Sequence, residues 1–181
     1  MDNIVFQSFD HGIHNFATEQ AFLNNFHLEG NVLFNNGGIA GYGDIRNLLL
    51  GGSHPAQLPV LLSNYTYWSN LTTTGQNTIG YIGGCSQLTA RDNYIAGGTT
   101  LQLINCTIAE LQGNTFAGSI SGFSQSAYPA NTYHAFGTRP TGTRIFVRPN
   151  QFEEGRGHVV VYNWDLNGQV LVDLSSVLRY G

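Results

Sequence analysis

Two histidines and one arginine form the best candidate for a catalytic group in this chain. The segment Asp10-His11-Gly12-Ile13-His14 joins a carboxylate to two imidazoles, and Arg46 lies further along. In proton abstraction beside a carboxylate, a base removes the proton and a cation stabilises the negative charge that develops. The sequence therefore predicts His11, His14 and Arg46 as catalytic residues.

Other polar and aromatic side chains could hold a substrate beside these three residues, because residues one coil apart in a repeating fold lie side by side. The predicted substrate-binding residues are Asp10, His27, Glu29, His54 and Trp68. Tyr65, Tyr67, Tyr81 and Tyr94 could form an outward aromatic ladder, or they could pack into the core. A plainer interpretation is also open, since Asp-His-Gly is a tripeptide that an ordinary β-turn could contain.

No metal or cofactor site is predicted. A calcium site needs clustered carboxylates and carbonyl oxygens. The 11 acidic residues are scattered along the sequence, so calcium binding is possible but has no supporting motif. His11 and His14 would point to opposite faces of an extended strand, which does not suit a shared zinc ion.

Four asparagines recur within strand-like segments at Asn31, Asn64, Asn93 and Asn114, and Asn3 begins a similar segment. The successive separations are 28, 33, 29 and 21 residues. A period in this range indicates a repeat architecture. Asparagine tolerates the left-handed backbone of a sharp corner, and stacked amides can hydrogen-bond along an axis. We therefore expect a structural ladder of corner asparagines.

The pattern of short apolar runs separated by Gly, Asn and Ser predicts an all-β fold with little helix. We expect a parallel β-helix over residues 1–126. Residues 127–181 are expected to form a final coil and a short antiparallel β cap that continues from the helix. Three strands are predicted in this second part, at residues 144–148, 158–162 and 169–173.

Charge and cysteine content restrict the partners. The chain has seven Lys+Arg, all of them arginines, and a net charge of −4. Without a basic cluster, nucleic-acid binding is disfavoured. Neither a signal peptide nor a long apolar run for a membrane span is visible. Cys85 and Cys106 would occupy similar positions on adjacent coils, either as buried thiols, which the sequence favours, or as a disulfide.

Several segments resemble right-handed parallel β-helix repeat proteins of the pectin-lyase-like superfamily. They are residues 12–14 (GIH), 26–37 (FHLEGNVLFNNG), 147–150 (VRPN) and 155–165 (GRGHVVVYNWD). The resemblance implies a right-handed parallel β-helix, with the later coils and the C-terminal cap represented. It also implies a secreted or cell-surface protein, since most members are secreted bacterial proteins. Because the catalytic motifs of known lyases and glycosidases are missing, no catalytic residue can be transferred from the family.

Three functions follow from the resemblance and the residues together. The first is a polysaccharide-associated domain, lyase-like or hydrolase-like, with a groove on the coil faces. The second is a structural or adhesive β-helix without catalysis. The third is a fragment whose active-site coils lie elsewhere. Exposed coil ends would favour self-association through edge strands.

Overall fold

The computed structural model describes residues 1–19, 23–37, 46–67 and 75–178. Backbone contacts divide the chain into two units. The first comprises Met1 and residues 3–138, and the second comprises Asp2 and the residues from Arg139 onward. The boundary after residue 126 stays a prediction.

Two parallel sheets make up the first unit. The nine-stranded sheet contains β1 (Ile4–Phe6), β2 (Ile13–Ala17), β4 (Val32–Phe34), β5 (Leu48–Gly52), β8 (Tyr65–Tyr67), β9 (Gly75–Gly80), β11 (Tyr94–Leu103), β13 (Thr115–Ser121) and β14 (Thr132–His134). The five-stranded sheet contains β3 (His27–Glu29), β6 (Ala56–Gln57), β7 (Val60–Leu62), β10 (Cys85–Arg91) and β12 (Cys106–Gln112). Among the described residues a 3₁₀ turn covers Gln125–Ala127. In the described residues no helix has the length and apolar character needed to cross a membrane.

The order of strand pairing is that of a coil stacked on a coil. Strand β1 pairs with β4, β4 with β8 and β8 with β11, while β3 pairs with β7 and β7 with β10, all in parallel. Strand β11 pairs with both β8 and β9, and strand β13 pairs with both β11 and β14. The register between β11 and β13 shifts near Gly97, Gly98 and Gly118, whose φ angles are positive. The predicted all-β class with parallel strands is confirmed, and the sheets curl into a solenoid-like arrangement.

Alternating apolar residues fill the interior of the coils. In β10, Leu88 and Ala90 are fully buried while Thr89 and Arg91 are partly exposed. Leu50, Ile79 and Phe116, from three different coils, have no exposed surface. Burying such side chains contributes roughly 1.5–3 kcal/mol each, which is why strands this short can be stable when they are stacked.

A row of asparagines, buried except at its two ends, links the coils. The side-chain amide of each asparagine donates to Oδ1 of the next, from Asn3 to Asn31 (2.9 Å), Asn31 to Asn64 (2.9 Å), Asn64 to Asn93 (3.0 Å), Asn93 to Asn114 (2.8 Å) and Asn114 to Asn131 (2.9 Å). Each accepting Oδ1 also receives the backbone N–H of the preceding asparagine. The row therefore satisfies buried polar groups and sets the register between coils.

The corner itself lies one residue before each of the first five asparagines. The φ angles there are 54° at Asp2, 68° at Gly30, 48° at Ser63, 56° at Asp92 and 68° at Gly113. The expectation that the asparagines adopt the left-handed conformation is therefore wrong. The turn comes before the asparagine, whose backbone N–H and side-chain amide both donate to the asparagine of the next coil.

Aromatic rings close the last coil of the first unit. Phe116 stacks on Tyr133 with ring centroids 5.5 Å apart, and it meets Phe123 at 5.7 Å. The hydroxyl of Tyr133 donates to the carbonyl of Tyr128 at 2.9 Å. Burial raises the pKa of Tyr133, although a side-chain hydrogen bond with Asn131 works in the other direction.

Cys85 and Cys106 form a disulfide. They are directly paired residues of β10 and β12, and their Cα atoms lie 4.3 Å apart. The preference for buried thiols is therefore wrong. Adjacent parallel strands bring equivalent side chains within bonding distance, so the equal spacing that predicted stacking also permits the bond.

In the part of the second unit that the structure describes, β15 (Thr143–Pro149) and β16 (Gly157–Asn163) form an antiparallel pair. The antiparallel pairing and these two strands are confirmed. The third predicted strand, at residues 169–173, is wrong because this segment forms no ladder. Its Leu171 is 94% exposed, which shows that the apolar alternation there has no partner surface among the described residues.

Candidate functional site

Backbone hydrogen bonds place the histidine segment beside Arg46. The amide of Gly12 donates to the carbonyl of Arg46 at 3.0 Å, and the amide of Ile13 donates to the carbonyl of Asn47 at 2.9 Å. Strands β2 and β5 then continue this contact as a parallel pair beginning at Ile13 and Leu48. Residues that are far apart in sequence, from neighbouring coils, therefore meet at the start of one face.

A second polar row lies under this contact and leaves room only for glycine. Asn36 Oδ1 accepts from the amide of Ser8 at 3.1 Å, Asn36 donates to Asn47 Oδ1 at 3.0 Å, and Asn47 donates to Gln76 Oε1 at 3.0 Å. A Cβ atom at position 12 would lie 2.5 Å from both Asn36 Nδ2 and the carbonyl oxygen of Asn47. Gly12 therefore lets the chain pass close to this row.

His11 is held firmly within the cluster. Its side chain is 8% exposed, and its Nδ1 accepts the backbone N–H of Arg46 at 3.1 Å. Because Nδ1 accepts this hydrogen bond, it does not donate to Asp10 Oδ1, which lies 3.7 Å away.

The two histidine rings meet edge to face, with centroids 4.6 Å apart. The expectation that they point to opposite faces is wrong. His11 lies before β2, outside the extended strand that the argument assumed, and the chain turns at Gly12. Asp10, His11 and His14 consequently present ligating atoms that all lie within 4.8 Å of one another.

A row of neighbouring aromatic rings begins at His14. Its ring lies 6.0 Å from that of Phe16, which lies 5.9 Å from the ring of Tyr81 on the coil after next. The guanidinium of Arg46 lies over the Tyr81 ring, 5.8 Å from its centroid. Phe16 is 41% exposed, whereas Arg46 is only 5% exposed. The surface therefore offers aromatic rings to solvent, and its cation lies beneath them.

The remaining predicted residues do not all join this cluster. His27 and Glu29 lie on β3 in the five-stranded sheet, where His27 Nε2 and Glu29 Oε2 are 3.1 Å apart. His54 is exposed between β5 and β6. Trp68 lies outside the described residues. The proposed alignment of His27 and Glu29 with the two histidines is thus not seen, because the two groups belong to different sheets.

The predicted tyrosine ladder is only partly at the surface. Tyr65 and Tyr94 are directly paired, but they are 8% and 4% exposed, whereas Tyr67 is 38% exposed. Phe16 was not among the residues predicted from sequence. Its position two residues after His14 on β2 indicated the same face, and that spacing could have identified it.

An open cleft of about 490 Å³ is present within the second unit. Its lining includes Phe152, Glu153, Glu154, Ser175 and Val177. No imidazole lines this cleft. We therefore place the candidate site at the cluster of Asp10, His11, His14, Phe16, Arg46 and Tyr81, called the histidine cluster below.

Comparisons with protein-family models, with curated proteins and with solved structures gave no match to this chain.

Proposed function

We propose that this chain is a polysaccharide-binding domain, built as a right-handed parallel β-helix of the pectin-lyase-like type. The observation that carries the proposal is the row of rings formed by His14, Phe16 and Tyr81 at the outer surface of the coils. Sugars bind by stacking their apolar faces on aromatic rings while polar groups bond to their hydroxyls. Asp10 and His14, both exposed, supply such polar groups at one end of the row.

Binding without turnover is favoured over lyase chemistry. A lyase needs a cation in contact with the uronate carboxylate, whereas Arg46 is 5% exposed and lies against Tyr81. His14 is exposed and could act as an acid or a base, but no cation of the described cluster lies at the surface beside it. Arg46 is thus a positioning residue, because its backbone orients His11 and its guanidinium supports Tyr81.

A secreted or cell-surface location is part of the proposal. Disulfides persist in oxidising compartments and are rare in the cytosol, so the bond between Cys85 and Cys106 supports it.

The proposal is tested by affinity electrophoresis of the full chain through gels containing acidic or neutral polysaccharides, with a chelator present. We expect retardation by at least one polysaccharide. Phe16→Ala should weaken that binding by about tenfold, roughly 1.4 kcal/mol of lost stacking. Phe152→Ala, which removes an exposed ring from the second unit, is the matched control and should bind as the unmodified chain does.

Two results would overturn the proposal. One is equal retardation of the unmodified chain and the Phe16→Ala variant, and the other is no retardation by any polysaccharide. Incubation with the polysaccharides that bind, followed by assays for unsaturated products and for new reducing ends, separates binding from turnover. We expect no products.

A further inference from the structure

Within the histidine cluster, Asp10, His11 and His14 have the donor set and spacing of a transition-metal site. Asp10 Oδ1 and His11 Nδ1 are 3.7 Å apart, and the three ligating atoms are all within 4.8 Å of one another. Tetrahedral zinc with bonds of about 2.0–2.2 Å places its ligand atoms about 3.4 Å apart. The distance between Asp10 Oδ1 and His11 Nδ1 is therefore near its metal-bound length, and the other distances need to shorten by at most about 1.4 Å.

The two side chains that must move to close the site, Asp10 and His14, are free to rotate because both are exposed. The side chain of Asp10 is 66% exposed, and His14 is exposed as well, so both can rotate without displacing core residues. His11 is 8% exposed and provides the fixed point. The backbone between them is also fixed, since Gly12 and Ile13 are hydrogen-bonded to Arg46 and Asn47.

We propose that Asp10, His11 and His14 bind one first-row divalent transition metal ion, with at least one coordination position left open. Two imidazoles and one carboxylate suit zinc, copper or nickel, whereas calcium and magnesium prefer oxygen ligands alone. In the described residues no other group of three or more His, Cys, Asp and Glu side chains comes together in this way.

The hydrogen bond from the Arg46 amide determines how the ion binds. His11 ligates through Nδ1, the atom that already faces Asp10, and this nitrogen now accepts the Arg46 N–H at 3.1 Å. Nitrogen uses one lone pair for either purpose, so the ion displaces that N–H. Because Arg46 is buried, the loss of an acceptor for its N–H weakens the affinity by roughly 5- to 150-fold, and the Arg46 amide reports the exchange directly.

Metal binding and polysaccharide binding are separate properties of neighbouring residues. Metal binding is measured without polysaccharide, and polysaccharide binding is measured with a chelator present. Failure of one therefore does not count against the other.

The test is isothermal titration of the chelator-treated full chain with zinc sulfate, followed by cobalt chloride and its visible absorption. We expect one zinc per chain and the strong visible bands of a cobalt ion with few ligands. His14→Ala and Asp10→Asn, both at exposed positions, should each weaken zinc binding at least tenfold. The matched control is His27→Ala. His27 lies beside the carboxylate of Glu29, and this pair offers a metal ion only two ligands.

An amide NMR spectrum supplies the readout that a merely structural role would not move. At a zinc concentration that just saturates the unmodified chain, zinc should shift the Arg46 amide resonance there and shift it much less in the His14→Ala variant. Absence of stoichiometric zinc binding would overturn the proposal. So would zinc binding that His27→Ala abolishes and that His14→Ala and Asp10→Asn leave unchanged.

Discussion

Replacement of Asn93 by alanine removes the middle of the asparagine row. Its Oδ1 accepts the backbone N–H of Asn64 at 2.9 Å and the Asn64 side-chain amide at 3.0 Å. Its own amide donates to Asn114 Oδ1 at 2.8 Å and to the carbonyl of Leu61 at 3.0 Å. Because Asn93 is 2% exposed, water cannot replace these bonds in the intact fold.

The magnitude follows from the groups that are left without partners. The backbone N–H of Asn64 and one proton of its side-chain amide lose their acceptor, and both are buried. Each unsatisfied buried group costs about 1–3 kcal/mol. We therefore expect Asn93→Ala to lower the free energy of unfolding by roughly 2–6 kcal/mol, a large part of the 5–15 kcal/mol typical of a domain.

Asn3→Ala is the matched control, because Asn3 is exposed and donates only to Asn31 at the end of the row. It should cost less than about 1 kcal/mol. Urea unfolding followed by circular dichroism, with the disulfide intact, measures both variants. A cost for Asn93→Ala no greater than that for Asn3→Ala would refute the view that the row holds the coils together.

Three further predictions concern covalent linkage, close packing and pH. Replacing both Cys85 and Cys106 by serine opens a loop of 21 residues and should lower the free energy of unfolding by about 3 kcal/mol, as measured in urea. Gly52→Ala should cost at least about 3 kcal/mol in the same assay, because its Cβ would lie 1.8 Å from a backbone carbonyl oxygen, whereas Gly168→Ala has open space and should change stability by less than about 0.5 kcal/mol. The pKa of Tyr133 is raised in the folded chain, so the stability that Tyr133 contributes is fully present below its ordinary pKa of 10.0. This stability is lost as the pH rises through the pKa of the folded chain. Tyr133→Phe should therefore reduce the loss of stability at alkaline pH, as measured by the midpoint of urea unfolding.

The recurring asparagines predicted the architecture because their role requires both a residue type and a spacing. Asn3, Asn31, Asn64, Asn93 and Asn114 begin strands that can be recognised in the sequence. Asn131 was missed, although it accepts the last bond of the row, because the Pro- and Ala-containing segment before it shows no strand pattern. The left-handed corner residues could not be identified, because glycine, serine and aspartate all occur there.

The histidine cluster shows why the site was harder to predict than the fold. Sequence separation gave His11 and His14 as neighbours but not their orientation, which depends on the turn at Gly12 and on the bond from Arg46. Arg46 was predicted as an accessible cation. Its burial against Tyr81 depends on how two coils stack, and no local pattern contains that information.

The second row of polar side chains was invisible in the sequence. Asn36 and Asn47 are only 11 residues apart, whereas Asn47 and Gln76 are 29 residues apart. No constant period links them, and the row changes from asparagine to glutamine. It positions the candidate site nevertheless, because Gly12 packs directly against Asn36 and Asn47.

The central claim is that the histidine cluster, and no other surface of the described residues, binds polysaccharide. The most direct measurement is an amide NMR titration of the full chain, in chelator, with an oligosaccharide of the best-retained polysaccharide. The proposal predicts that the largest shifts fall at His14, Phe16 and Tyr81. Shifts confined to the cleft lined by Phe152 and Val177, with an unperturbed histidine cluster, would contradict it.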